Sequence, residues 1–117
     1  MYSKIGPKRL NDLVNRFYNL VFNESQIAHL FTTDPEVVID KQVIFLTQFL
    51  GGPQVYTEKF GAPRMKKRHM PHAIDEDARI EWLRCMRKAI REMDFEPELA
   101  DALYSCFPKL AAHMQNR

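Results

Sequence analysis

The apolar residues of this chain recur at helical spacing in several separate stretches, and nowhere do they alternate. From Pro7 onward, Leu10, Leu13, Val14, Phe17, Tyr18, Val21 and Phe22 follow the i, i+3, i+4, i+7 pattern of one helical face. Pro7 has no backbone N–H to lose and suits a first helical turn. Thr33 or Asp34, followed by Pro35 and Glu36, signals a second helix running to about Phe49. Its predicted inner stripe is Val38, Gln42, Phe45 and Phe49, and Gly51, Gly52 and Pro53 stop it. Asp75, Glu76 and Asp77 place negative charge at a third start, followed by a stripe of Trp82, Cys85, Met86, Ala89 and Met93. A last helix is predicted from Pro97, with Leu99, Ala102, Leu103, Cys106, Leu110 and Met114 inward and bent by Pro108. With no alternating segment to compete, the fold class is all-α.

Two connections stand between these helices. Residues 25 to 31 read as a short helix or turn. Residues 53 to 73 carry three Pro and read as a long ordered loop with at most two turns of helix before His69. A connection this long in a compact fold usually has a function.

At 117 residues, without a repeat or a long linker, residues 1–117 are expected to form a single domain. The 45% hydrophobic content and eight Phe exclude a disordered chain. A net charge of +2, from 17 basic and 15 acidic side chains, is too small to imply nucleic acid or an anionic membrane as partner. No apolar run approaches the roughly 20 residues that span a bilayer. The stretch Met1 to Gly6 lacks the basic-then-apolar pattern of a secretory signal, so a cytoplasmic protein is expected. Cys85 and Cys106 form no CxxC and both fall on predicted inner faces, which favours buried free thiols over a disulfide.

Tyr18 and Gln42 interrupt two apolar stripes with polar groups. A buried hydroxyl or amide without a partner costs on the order of 1 to 3 kcal/mol, so each needs an internal hydrogen bond. Trp82 adds a third inward donor from another helix. The residues alone leave two readings open: a structural network of satisfied core groups, or donors converging on a polar diatomic molecule such as dioxygen held at a metal. An iron would need a neutral imidazole opposite. His69 follows the basic run Arg64, Met65, Lys66, Lys67, Arg68 and by itself reads as a solvated surface residue. That run has no companion basic stripe to make a nucleic-acid patch. His69 and His72 form an HxxH pair, but Pro71 between them argues against one helical face and so against zinc.

Taken in order, Phe17-Tyr18, Phe31, Lys41-Gln42, the block from Phe45 to Pro53 (FLTQFLGGP), Tyr56-Thr57, Arg68-His69, Trp82-Leu83 and His113-Met114 span nearly the whole chain. In these motifs the sequence resembles the second group of the truncated haemoglobins. The resemblance implies a globin-like two-over-two helical sandwich around haem b (iron protoporphyrin IX), with His69 as the axial iron ligand. It places Tyr18, Gln42 and Trp82 on the distal side as donors to a ligand, and Phe31 against the porphyrin face. Phe17, Phe45 and Met86 become apolar wall, Met65 and Trp82 join the cofactor contacts, and Arg68 and Tyr56 pair with the propionates. The chain departs from the pattern at Val38, where relatives often carry Ala or Thr, at His72, where some carry an aromatic, and in a first helix reduced to residues 2 to 6.

The implied function is binding of O2, and of NO and CO, at a pentacoordinate iron. If each of three donors contributes roughly 1 kcal/mol, ligand release slows about a hundredfold. The alternative is redox turnover at the same haem, as an NO dioxygenase or peroxidase with a reductase as partner. A haem-free helical interaction module is the third reading. Monomer and homodimer are both compatible with the sequence.

Overall fold

The computed structural model describes residues 1–30, 34–62 and 74–116, and orders them into α-helices with no strand among them. The helices are α1 (Tyr2–Ile5), α2 (Pro7–Glu24), α3 (Pro35–Phe49), α4 (Val55–Phe60), α5 (Glu76–Glu92), α6 (Pro97–Tyr104) and α7 (Phe107–Met114), with a 3-10 turn at Ala28–Leu30.

The long α2 forms for the reason its periodicity gives. Leu10, Leu13, Val14, Phe17, Tyr18, Leu20 and Val21 are buried along one side. The outer side carries Asn11, Asn15, Asn19 and Asn23, poor helix formers whose amides partly bond back to the preceding turn, as Asn15 Nδ2 does to the Asn11 carbonyl at 2.8 Å. Burial therefore holds this helix rather than propensity. Full burial of Phe17 alone contributes about 1.5–3 kcal/mol.

The predicted starts of α3 and α5 are realised as side-chain caps. Asp34 Oδ1 accepts from the Glu36 N–H at 2.9 Å, with Pro35 in the first turn. Asp75 Oδ1 accepts from the Ala78 N–H at 2.8 Å, and Glu76 and Asp77 add negative charge where the helix dipole favours it.

Two expectations are corrected. The buried face of α3 is Phe45 and Leu46, continued by Leu50, while Val38 and Gln42 are half-buried and Phe49 is 38% exposed. Burial is concentrated where the C-terminal half of the helix meets its neighbours. The last helix is two helices and not one bent helix: Pro108 lies in the first turn of α7, where its missing N–H costs nothing. Ser105 Oγ bonds the Ala102 carbonyl at 2.7 Å beside the break. The break resets the inner face to Leu103, Phe107, Leu110, Ala111 and Met114, leaving Ala102 exposed and Cys106 half-buried.

In layers, α2 packs against α3 on one side and α5 on the other, and α5 packs against α6 and α7, giving the two-over-two sandwich. Two ties close it. The Tyr2 N–H donates to the Leu50 carbonyl at 2.8 Å and the Gly52 N–H to the Thr47 carbonyl at 2.8 Å, fixing α1 on the turn after α3. At the other end Ile74 donates to Asn116 Oδ1 at 3.0 Å and accepts from the Asn116 N–H at 2.9 Å, so the end of α7 holds the start of α5.

Candidate haem site

Phe17 joins two of the predicted site residues, Tyr18 and Trp82. It is buried on α2, stacks on Tyr18 with ring centroids 4.9 Å apart and planes 11° from parallel, and takes Trp82 of α5 edge-on at 4.9 Å and 74°. Offset stacking and edge-to-face contact are the arrangements the ring quadrupoles favour. The aromatic series continues from Trp82 to Phe107 at 5.8 Å, to Phe49 at 6.2 Å, to Phe45 at 5.8 Å and to Tyr56 at 5.4 Å. Rings from α2, α3, α4, α5 and α7 therefore form one continuous wall.

Among the predicted donors, Tyr18 is the most deeply set, at 3% exposure. Burial pushes its phenol well above the ordinary value of 10.0, so the group stays neutral and keeps its O–H to donate. Gln42 on α3 and Trp82 on α5 are half-buried. Among the described residues neither the Gln42 amide nor the Trp82 indole N–H has a hydrogen-bond partner. Of the predicted walls, Phe45 and Met86 are buried, as is Tyr56 on α4. Phe31, Met65, Arg68 and His69, with the rest of the basic run and His72, lie outside the described residues. Among those described, no cluster of three or more His, Cys, Asp or Glu could hold a metal ion, and no helix is long and apolar enough to cross a membrane.

Sequence reasoning missed three contributors. Phe107, which touches both Trp82 and Phe49, was readable as the residue four beyond Leu103 and three before Leu110. The Gln48–Thr57 pair, which sets α4 and with it Tyr56, gives no local signal because the two lie on different helices. The same holds for the links from Glu81 and Arg84 of α5 to Gln26, just beyond α2, and to Glu24 at its end.

The helical sandwich and the aromatic wall inside it are those of a globin. The bacterial-like globin family model matches residues 1–116, and the chain belongs to that family. Its likeness within the family is to the second group of the truncated haemoglobins. It is 36% identical over 116 residues to a group 2 truncated haemoglobin of Bacillus subtilis, covering 99% of this chain and 88% of that one. The X-ray structure of a truncated oxygen-avid haemoglobin from Bacillus subtilis superposes with a TM-score of 0.92 at 36% identity, covering 98% of both chains. A group II truncated haemoglobin from Bacillus anthracis gives 0.92 at 32% identity, covering 98% of this chain and 89% of that one.

The cofactor of these globins is haem b, and the described residues fit it. The predicted donors are a phenol, an amide and an indole, all neutral, so no carboxylate among them would oppose a polar ligand. Phe49 meets Phe45 and Phe107 yet keeps 38% of its surface accessible, and Trp82 is only half-buried. Apolar ring area of this kind suits the face of a planar macrocycle.

Proposed function

We propose that this globin binds O2 reversibly at its haem, with His69 as the axial iron ligand and Tyr18, Gln42 and Trp82 as hydrogen-bond donors to the ligand. When bound, the haem supplies an iron with one open position, which NO and CO also fit. The carrying observation is that Tyr18 and Trp82, from different helices, are both fixed on the Phe17 ring, with the Tyr18 hydroxyl held neutral by burial. Such preset donors act without reorganisation when a polar molecule arrives. Phe31, Phe45, Met65 and Met86 form the apolar wall, and Arg68 and Tyr56 take the propionates. The oxygen-avid description of the Bacillus subtilis relative supports the reading.

Each lost donor of about 1 kcal/mol speeds release about fivefold. Stopped-flow O2 dissociation from haem-loaded wild type, Tyr18→Phe and Trp82→Phe measures this. Rates equal to wild type remove the substituted residue from the donor set. A His69→Gly variant is expected to lose its axial imidazole band and regain it with added imidazole; retention of the band sinks the ligand assignment.

A further inference from the structure

The helices that carry Tyr18 and Trp82 meet over a wholly apolar interior. Val14, Phe17 and Val21 of α2 and Cys85, Met86 and Ala89 of α5 are each at most 1% exposed. Side-chain packing sets how these two helices cross, but burial itself is non-directional, so a fine setting of the turn that carries Trp82 calls for directional contacts. Polar links at one end supply that setting. Glu81 accepts the Arg84 Nε–H through Oε1 and, through Oε2, the backbone N–H of Gln26 at 3.4 Å. Arg84 Nη2 donates at 3.1 Å to the carbonyl of Glu24, the last residue of α2, where helix carbonyls lack intrahelical partners. Lys88 Nζ pairs with the Glu24 carboxylate at 3.2 Å.

We infer that Glu81 and Arg84 are positioning residues that set the indole of Trp82 against α2. Glu81 immediately precedes Trp82 on the same turn of α5, so fixing its carboxylate to the chain just beyond α2 fixes the rotation of that turn. The requirement is tight. A shift of about 1 Å carries a hydrogen bond of about 2.9 Å beyond the distance at which it still counts as one. The inference rests on the reading of Trp82 as a donor to the ligand. A second ion pair joins the same two helices eleven residues after Glu81, Arg16 with Glu92 at 3.8 Å, and it supplies the control.

The test uses the haem-loaded protein, reading the C–O stretch of its CO complex and the O2 dissociation rate. Glu81→Ala and Arg84→Ala are expected to add a C–O band at higher frequency and to raise O2 dissociation roughly threefold. Glu81→Gln, which keeps an acceptor for the Gln26 N–H, is expected to restore most of the wild-type band. Glu92→Ala is expected to leave both readouts unchanged while lowering Tm as Glu81→Ala does. A wild-type band in Glu81→Ala and Glu81→Gln, when Trp82→Phe shifts it, overturns the positioning role. An equal shift in Glu92→Ala also overturns it, because any loosening of the helix pair would then suffice. If Trp82→Phe itself leaves the band unmoved, the donor reading fails first.

Discussion

Gln48 and Thr57 exchange two hydrogen bonds: the Gln48 Nε2–H donates to Thr57 Oγ1 at 2.7 Å, and the Thr57 backbone N–H donates to Gln48 Oε1 at 2.9 Å. Thr57 is the third residue of α4, so its amide is one of those left without an intrahelical acceptor at a helix start. A side chain of α3 thus caps α4 and sets the angle at which Tyr56 presents its ring to Phe45. Gln48→Ala is expected to cost about 1–2 kcal/mol in urea denaturation, since it strips the cap and leaves a half-buried hydroxyl. Thr57→Val keeps the amide capped and is expected to cost less. The double variant is expected to cost less than the sum of the two; strict additivity would show that the exchange does not act as a unit.

The two glycines after α3 do different work. A Cβ on Gly52 would lie 2.7 Å from Tyr2 Cδ1 and 2.8 Å from the Thr47 carbonyl oxygen, which already accepts the Gly52 N–H. Gly51 has open space around it but sits at φ +97°, where L side chains are strained. Gly52→Ala is expected to lower stability by about 1–3 kcal/mol and Gly51→Ala by about 1 kcal/mol. Removing the ring with Tyr2→Ala separates them: it is expected to reduce the penalty at Gly52 and leave that at Gly51 unchanged. The same rescue at both positions would refute the distinction.

How much of this was legible follows from the range of the interactions. The caps at Asp34 and Asp75 and the inner face of α2 depend on residues a few positions apart, and they were readable. Pro108 was misread because a proline inside a helix and a proline opening a new one look alike until the Ser105–Cys106 break is seen. Of the stripe expected on α3, Phe45 is buried, Val38 and Gln42 are half-buried and Phe49 is exposed, because only the C-terminal half of the helix is covered by its neighbours and no spacing within α3 encodes that. Tyr18 is visible as a polar interruption and Trp82 as an inward donor, but their meeting on Phe17 brings Trp82 to positions 64 and 65 residues away. No periodicity encodes such a contact, and the order of motifs along the chain pointed to it instead.

The two thiols differ in access. Cys85 is fully buried against α2, and burial pushes its thiol up, away from the reactive thiolate. Cys106 lies at the α6–α7 break, half-buried, with Sγ 3.4 Å from the Ala102 carbonyl. A thiol reagent is expected to label one cysteine per folded chain quickly and the second only on unfolding. Mass mapping is expected to place the fast label on Cys106. Rapid labelling of Cys85 would mean that α2 and α5 part in the native state.

Tyr18 makes a pH prediction with a definite sign. Its folded-state pKa is raised above the ordinary 10.0 because the phenolate would have to form inside the core. The unfolded chain therefore releases this proton first as pH rises. The neutral phenol's contribution is fully present below pH 10 and declines above it. Tyr18→Phe removes the titrating group, so the stability difference between wild type and Tyr18→Phe is expected to be constant between about pH 7 and 9. It should then move in favour of the variant above pH 10. Denaturation of both proteins across that range, using haem-loaded samples, measures the difference directly. Parallel profiles up to pH 11 would show that the hydroxyl reaches water in the folded state, and the neutral donor assigned to it would lose its basis.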